Sequence, residues 1–185
     1  MTIRYIADLH FDDESILAYD NRPFDTVEEM NEAMIRNWNR VVAETDLTWI
    51  LGDFCGGSAA RWAELLSKLQ GRKSLIIGNH DDCEAVKQGS DLFEEIAEYR
   101  EIRDGDRQVV LCHYPIVSFH DHYFSWVHFY GHVHSSYEWH MAEKEKSLMK
   151  KLYARKDVCL MANVGAMMPY MTYTPRSLEE LIPHC

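Results

Sequence analysis

Five short clusters of Asp, Asn and His carry the residue types from which a reactive centre is built: Asp8-x-His10, Gly52-Asp53, Asn79-His80-Asp81, His113 and His132-x-His134. In Asp8-x-His10 the period-two alternation of an extended segment places a carboxylate and an imidazole on one side, where they can share a cation. His132-x-His134 repeats that spacing with two imidazoles. A carboxylate at Asp53 can bridge two metals through its two oxygens, while Asn79 and His113 add an amide oxygen and a further imidazole. Imidazole nitrogen mixed with carboxylate oxygen suits Mn, Fe, Zn or Ni better than Ca or Mg. Taken singly, each residue has a plainer reading: a satisfied histidine at His10 or His134, a turn residue at Asp53, a left-handed loop residue at Asn79. Together, each following a stretch that reads as a strand, they favour one metal centre.

The elements that must position these clusters follow from hydrophobic periodicity. Residues 3–7, 47–51, 74–77, 108–112, 125–130 and 158–162 read as strands, and the first five end at Asp8, Gly52-Asp53, Gly78-Asn79, His113 and Gly131-His132. Ligand sites in α/β proteins gather where loops leave the carboxyl ends of strands. Asp104-Gly105 between 99–103 and 108–112 is a hairpin signal. Thr26 and Glu29 have the spacing of a capping box, and Val27, Met30, Met34, Trp38 and Val41 follow at helical intervals. Residues 60–69 read as a second helix stopped near Gly71, and 177–182 as a short terminal one. With no internal repeat and no Pro/Gly/Ser linker, residues 1–185 read as one domain.

Composition sets limits on partners. The net charge of -11 disfavours nucleic acid, whose binding relies on Lys and Arg against phosphates, although site carboxylates counted in that sum would be offset by bound cations. No stretch has the apolar length of a bilayer span, so no membrane partner is expected. The five cysteines are scattered and odd in number, which argues against a disulfide framework and for a cytoplasmic setting.

The run Asp8-x-His10, Gly52-Asp53, Gly78-Asn79-His80-Asp81, His113, Gly131-His132-x-His134 resembles the calcineurin-like metallophosphoesterases, over residues 8 to about 165. Asn21-Arg22-Pro23-Phe24 and Asn163-Val164-Gly165 are similar to the small bacterial and phage-type members. The resemblance implies an α+β fold, a two-sheet β-sandwich flanked by helices in four α/β/β/α layers, with the metal site at the carboxyl ends of the strands. It implies two divalent transition-metal ions, Mn first and Fe, Zn or Ni as alternatives. Asp8, His10, Asp53 and His134 would surround one, and Asp53, Asn79, His113 and His132 the other. Paired ions activate a bridging water for in-line displacement at phosphorus. His80 would be the general acid, with Asp81 orienting its ring. Arg22 and Asn79 are the candidate contacts to the substrate phosphate; for Arg22 the alternative is a helix-entry residue fixed by Pro23 and Phe24.

Several positions depart from the pattern or fall outside it. Asp13 stands where related small members often carry a second histidine, and Gly52-Asp53 continues as Phe54-Cys55-Gly56 without the Asp-Arg-Gly of the Ser/Thr protein phosphatases. Cys55, Cys83 and Cys112 flank the clusters and read as core thiols rather than reactive ones. His120 and His122 read as loop residues near the mouth, and residues 144–156 as a solvated basic helix or loop, with a substrate-attracting flap as the alternative. The expected activity is hydrolysis of small or nucleotide-like phosphate esters, a diester before a monoester. The competing reading is a non-catalytic interaction module of the same fold, against which the completeness of the site speaks. A repair-type nuclease would need a basic track that this chain lacks. Trp126, Trp139 and Tyr170, read as exposed, leave a homodimer open.

Overall fold

The computed structural model describes residues 1–185, apart from the side chain of Cys83. Fifteen helices and strands follow in chain order: β1 Ile3–Ile6, α1 Ser15–Tyr19, α2 Val27–Val41, β2 Leu47–Leu51, α3 Ala59–Lys68, β3 Arg72–Ile76, α4 Cys83–Gln88, β4 Ile96–Ala97, β5 Tyr99–Asp104, β6 Arg107–Cys112, β7 Val127–Tyr130, α5 Tyr137–Leu152, β8 Leu160–Asn163, β9 Arg176–Ser177 and α6 Leu178–Leu181. One sheet has the order β4-β3-β2-β1-β9 and the other β5-β6-β7-β8. In the first, β1 to β4 run parallel and β9 antiparallel; in the second, the β5/β6 hairpin is antiparallel and β6, β7 and β8 are parallel. The chain is therefore an α+β fold of two mixed sheets flanked by helices.

Alternation along the strands explains the layering. Val109, Leu111, Val127 and Phe129 join the core shared with the first sheet, whereas Val110, Tyr130 and Met161 face outward into a second cluster beside Trp139 and Met149 of α5. Tyr5 of β1 meets Phe129 of β7 across the sandwich at 4.7 Å between ring centroids. The first sheet is covered on its other side by amphipathic helices, α2 burying Met30, Met34 and Trp38, and α3 burying Trp62, Leu65 and Leu66. Thr26 caps α2 by accepting from the Glu29 amide, but the Glu29 carboxylate accepts from Asp25 rather than Thr26, so the capping box is only half formed.

Residues 144–156 take the solvated reading: most belong to α5 and its exposed exit. Lys146 is the exception, buried with its ammonium on the Met161 and His184 carbonyls. Trp126, Trp139 and Tyr170, expected at the surface, are partly buried, their rings packed against the two cores.

Candidate metal centre

Every cluster identified in the sequence lies where a strand ends, and the strands bring all five to one edge of the sandwich. The backbone reason differs from simple strand alternation, however. Asp8, His10, Asp53, His132 and His134 all have positive φ, between 47° and 68°. A non-glycine residue in that region costs about 1–3 kcal/mol, a strain that collects at functional sites. The side chains thus converge from left-handed loop residues, not from the extended segments that the sequence led us to expect for Asp8-x-His10 and His132-x-His134. Gly52 (φ 87°) makes room for this: a Cβ there would overlap the His113 ring and come within 2.7 Å of Gly78 Cα.

One ligand atom each from buried Asp8, His10, Asp53 and His134 lies within 4.8 Å of the others. Asp8 Oδ2, His10 Nε2 and Asp53 Oδ2 are buried without a hydrogen-bond partner. Leaving such atoms unmatched costs about 1–3 kcal/mol each, more where charged. Three unmatched lone-pair atoms converging with a further imidazole form a nitrogen-and-oxygen set that fits a divalent transition metal. Burial lowers His10 to about 4, so it stands as a neutral imidazole with a lone pair to donate. Asp8 is raised by burial. Asp53 is opposed by burial too, but close contact with His113 and its charge outweigh it and bring the carboxyl to about 2.

Next to this cluster, Asn79 Oδ1 lies 2.8 Å from His132 Nδ1 and 3.0 Å from His113 Nε2. Asp53 Oδ2 stands between the groups, 3.5 Å from His10 Nε2 and 3.4 Å from His113 Nε2. His113 Nδ1 donates to the Leu51 carbonyl at 2.8 Å. Burial opposes charge on His113, yet contact with Asp53 and the charges of Asp8 and Asp53 prevail and raise it to about 9. Paired carboxylates here call for positive charge, which an imidazolium supplies in part and a divalent ion in full.

Other sequence-identified residues occupy different places. His80 is exposed in the cavity beside the cluster, its ring 5.4 Å from that of His10, while its amide donates to Asp53 Oδ1. Asp81 does not orient that ring: its buried carboxylate accepts the amides of Asp53, Phe54 and Gly78 and so ties the β2 and β3 exits together. Arg22 is likewise unavailable to a phosphate. Its side chain is fully buried, donating to Asp20 and to the carbonyls of Asp8 and Leu9, with Tyr173 beneath the guanidinium. His120 pairs with Glu101, and His122 is buried with Nδ1 on the Phe119 carbonyl, so neither reaches the cavity. Burial pushes the Cys55 thiol up to about 11 and raises Cys112, which leaves both as core thiols; the Cys83 side chain lies outside the described residues.

Two contributors had escaped the sequence reading. Asp20 Oδ1 accepts from His134 Nδ1 at 2.7 Å and fixes that ring with Nε2 toward the cluster. Asn163 donates to the His134 carbonyl and accepts from the Gly165 amide, bracing the same loop. Asn163 stood in a recognisable motif, but Asp20 offered no signal beyond its place next to Asn21-Arg22. A cavity of about 400 Å³ opens over the cluster, walled by Ser15, Ile16 and Tyr19 on one side and by Asp13 and Glu138 among its polar residues.

Comparison with known proteins agrees with this geometry. The chain is 36% identical over 137 residues to an uncharacterised protein of Methanocaldococcus jannaschii, covering 73% of this chain and 70% of that one. It is 30% identical over 159 residues to the gene 66 protein of Mycobacterium phage L5, covering 71% and 76%. A solved structure of a protein of unknown function from Aquifex aeolicus superposes with a TM-score of 0.72 at 22% identity, over 100% of this chain and 99% of that one, a likeness of fold. The family model for calcineurin-like phosphoesterases matches residues 1–159. No helix is long and apolar enough to cross a membrane. The chain belongs to the calcineurin-like phosphoesterase family and is a metal-dependent phosphoesterase.

Proposed function

We propose that the chain hydrolyses phosphodiesters, small or nucleotide-like, at a two-ion centre, with Asp8, His10, Asp53 and His134 holding one ion and Asp53, Asn79, His113 and His132 the other. The observation that carries the diester preference is the charge of the cavity wall. Its lining includes Asp13 and Glu138 but no Lys or Arg. Since Arg22 is held inward, the negative charge of a substrate finds attraction only in the ions and the imidazoles. A diester brings one negative charge and a monoester nearly two at neutral pH, so the two rim carboxylates weigh more heavily against the monoester. The position of Asp53 Oδ2 between His10 and His113 supports its bridging role.

When bound, paired ions activate water and neutralise charge on the attacking and leaving oxygens. His80, exposed over the cavity, is the proposed proton donor to the leaving oxygen. Tyr19, whose ring stands 5.5 Å from that of His134, offers a flat surface to an organic group of the ester. Mn is the first choice of metal, with Fe, Zn and Ni next, given the mixed donor set.

The test is turnover of bis(p-nitrophenyl) phosphate and p-nitrophenyl phosphate by metal-stripped protein to which Mn, Ni, Zn, Fe or Mg is returned. A higher kcat/KM for the diester with at least one transition metal is expected. His80→Ala should lower turnover by about 10²–10⁴-fold, with metal content unchanged. Preference for the monoester would overturn the substrate assignment, and inactivity with every metal would overturn the catalytic one. Metal loss in the His80 variant would make His80 a ligand instead.

A further inference from the structure

The large hydrophobic side chains exposed on this molecule are not spread over its surface. Of twelve among the described residues, seven lie on α5 or beside its carboxyl end: Tyr137, Met141, Leu148, Leu152 and Tyr153, with Tyr123 against Tyr153 and Phe124 beside Tyr123. Scattered exposed apolar residues need no explanation, but a contiguous patch rimmed by charge marks a contact surface. Four of the seven form a stripe, since at 100° per residue Tyr137, Met141, Leu148 and Leu152 fall within about 60° of one another around the helix. The opposite face, with Ala142 and Lys146, is already buried.

The charges beside the stripe identify its occupant. Lys144 and Glu145, both exposed, fall about 50° to either side of the stripe's centre. Lys151 lies on the lysine side and Glu138 on the glutamate side. The helix therefore has one basic and one acidic flank, while the ion pair within α5 runs through Glu143 and Lys146 instead. We infer that α5 is a homodimer interface in which two copies pack stripe to stripe about a two-fold axis parallel to the helix. That symmetry turns the basic flank of each copy onto the acidic flank of the other, setting Lys144 beside the partner's Glu145 and Glu145 beside the partner's Lys144. An antiparallel pair would instead set lysine against lysine and glutamate against glutamate. An isologous contact of this kind closes on itself and leaves no free patch. Glu138 belongs both to the acidic flank and to the wall of the metal-centre cavity, so the interface begins beside the site.

The experiment is sedimentation velocity on the full chain at low salt, across a concentration series. Wild type should sediment as a dimer, at twice the 21.7 kDa chain mass. Leu148→Asp should yield a monomer with an unchanged circular dichroism spectrum, since Leu148 is 54% exposed. Lys144→Glu and Glu145→Lys should each weaken dimerisation by about tenfold, and the double variant should recover wild-type affinity. That compensation within one chain distinguishes parallel two-fold packing from any other occupant. A monomeric wild type, a dimer that survives Leu148→Asp, or charge reversals without compensation would each overturn the proposal.

Discussion

Asp20 does its work through another residue. By accepting from His134 Nδ1 it holds the ring so that Nε2 faces the ligand cluster, and its second oxygen is gripped by Arg22. Burial alone would favour the neutral acid, but the hydrogen bond and charge of His134, with the charge of Arg22, bring the carboxyl below its ordinary value, so it remains ionised. A carboxylate behind a ligating imidazole typically contributes about 10–100-fold in metal affinity. Asp20→Asn should therefore weaken metal binding by about that factor, measured calorimetrically at a temperature where the variant is folded. It should also lower the melting point of the metal-free protein, because Arg22 loses its buried counter-charge. Metal affinity equal to wild type would show that Asp20 serves Arg22 alone. The clustered Asp, Asn and His residues were legible in the sequence because they are conspicuous after apolar runs. Asp20 was not, since its partner lies 114 positions away and no local pattern announces a contact across that distance.

At the scale of elements, most strands and the amphipathic α2 and α3 declared themselves through periodicity, whereas α5, read only as a basic helix or loop over 144–156, and the short pieces did not. The five-residue α1 and the two-residue β4 and β9 are too brief for a period to register, and they are set by tertiary pairing. The left-handed turns after β1 and β7 were hidden for a different reason: their positive-φ positions hold Asp and His, where glycine would have signalled a positive φ. β7 also carries an imidazole that the metal centre does not use. His128 is fully buried, with Nδ1 on the Val110 carbonyl and Nε2 accepting from the Ile116 amide, and burial lowers it from 6.5 to about 4. In the unfolded chain the same ring takes up a proton near its ordinary value. Stability contributed by the neutral ring is thus complete above about pH 6.5 and declines as the pH falls toward 4, by at most about 3 kcal/mol. Chemical unfolding in EDTA across that range should show the decline, and His128→Gln, which cannot titrate, should flatten it. An equally steep profile in the variant would assign the decline to carboxylates.

For the whole molecule, the most consequential fact is where the proposed ligands come from. Asp8, His10, Asp53 and Asn79 leave the first sheet, after β1, β2 and β3, while His113, His132 and His134 leave the second, after β6 and β7. The order of strands within each sheet was not legible from their sequences, because parallel partners are joined through long crossovers; the two-sheet expectation came from the motif pattern instead. In this arrangement Asp8 Oδ1 accepts from the His132 amide at 3.0 Å, so protein groups already link the two sheets at this edge. A divalent ion held by Asp8, Asp53 and His134 would add a further link of much greater charge, meeting Asp8 Oδ2 and Asp53 Oδ2 where the protein leaves them unmatched. Because the unfolded chain has no such cluster, binding should appear as folding stability, about 2.7 kcal/mol at a free metal concentration one hundred times Kd. Thermal unfolding in EDTA and with Mn or Zn should therefore differ by several degrees, with the metal-loaded midpoint climbing as concentration rises. Asp53→Asn, which weakens the shared position, should abolish most of that climb while retaining a cooperative transition. A midpoint indifferent to every divalent ion in wild type would mean that the sheet edges close without metal, and would leave the strained loops and the unmatched oxygens uncompensated.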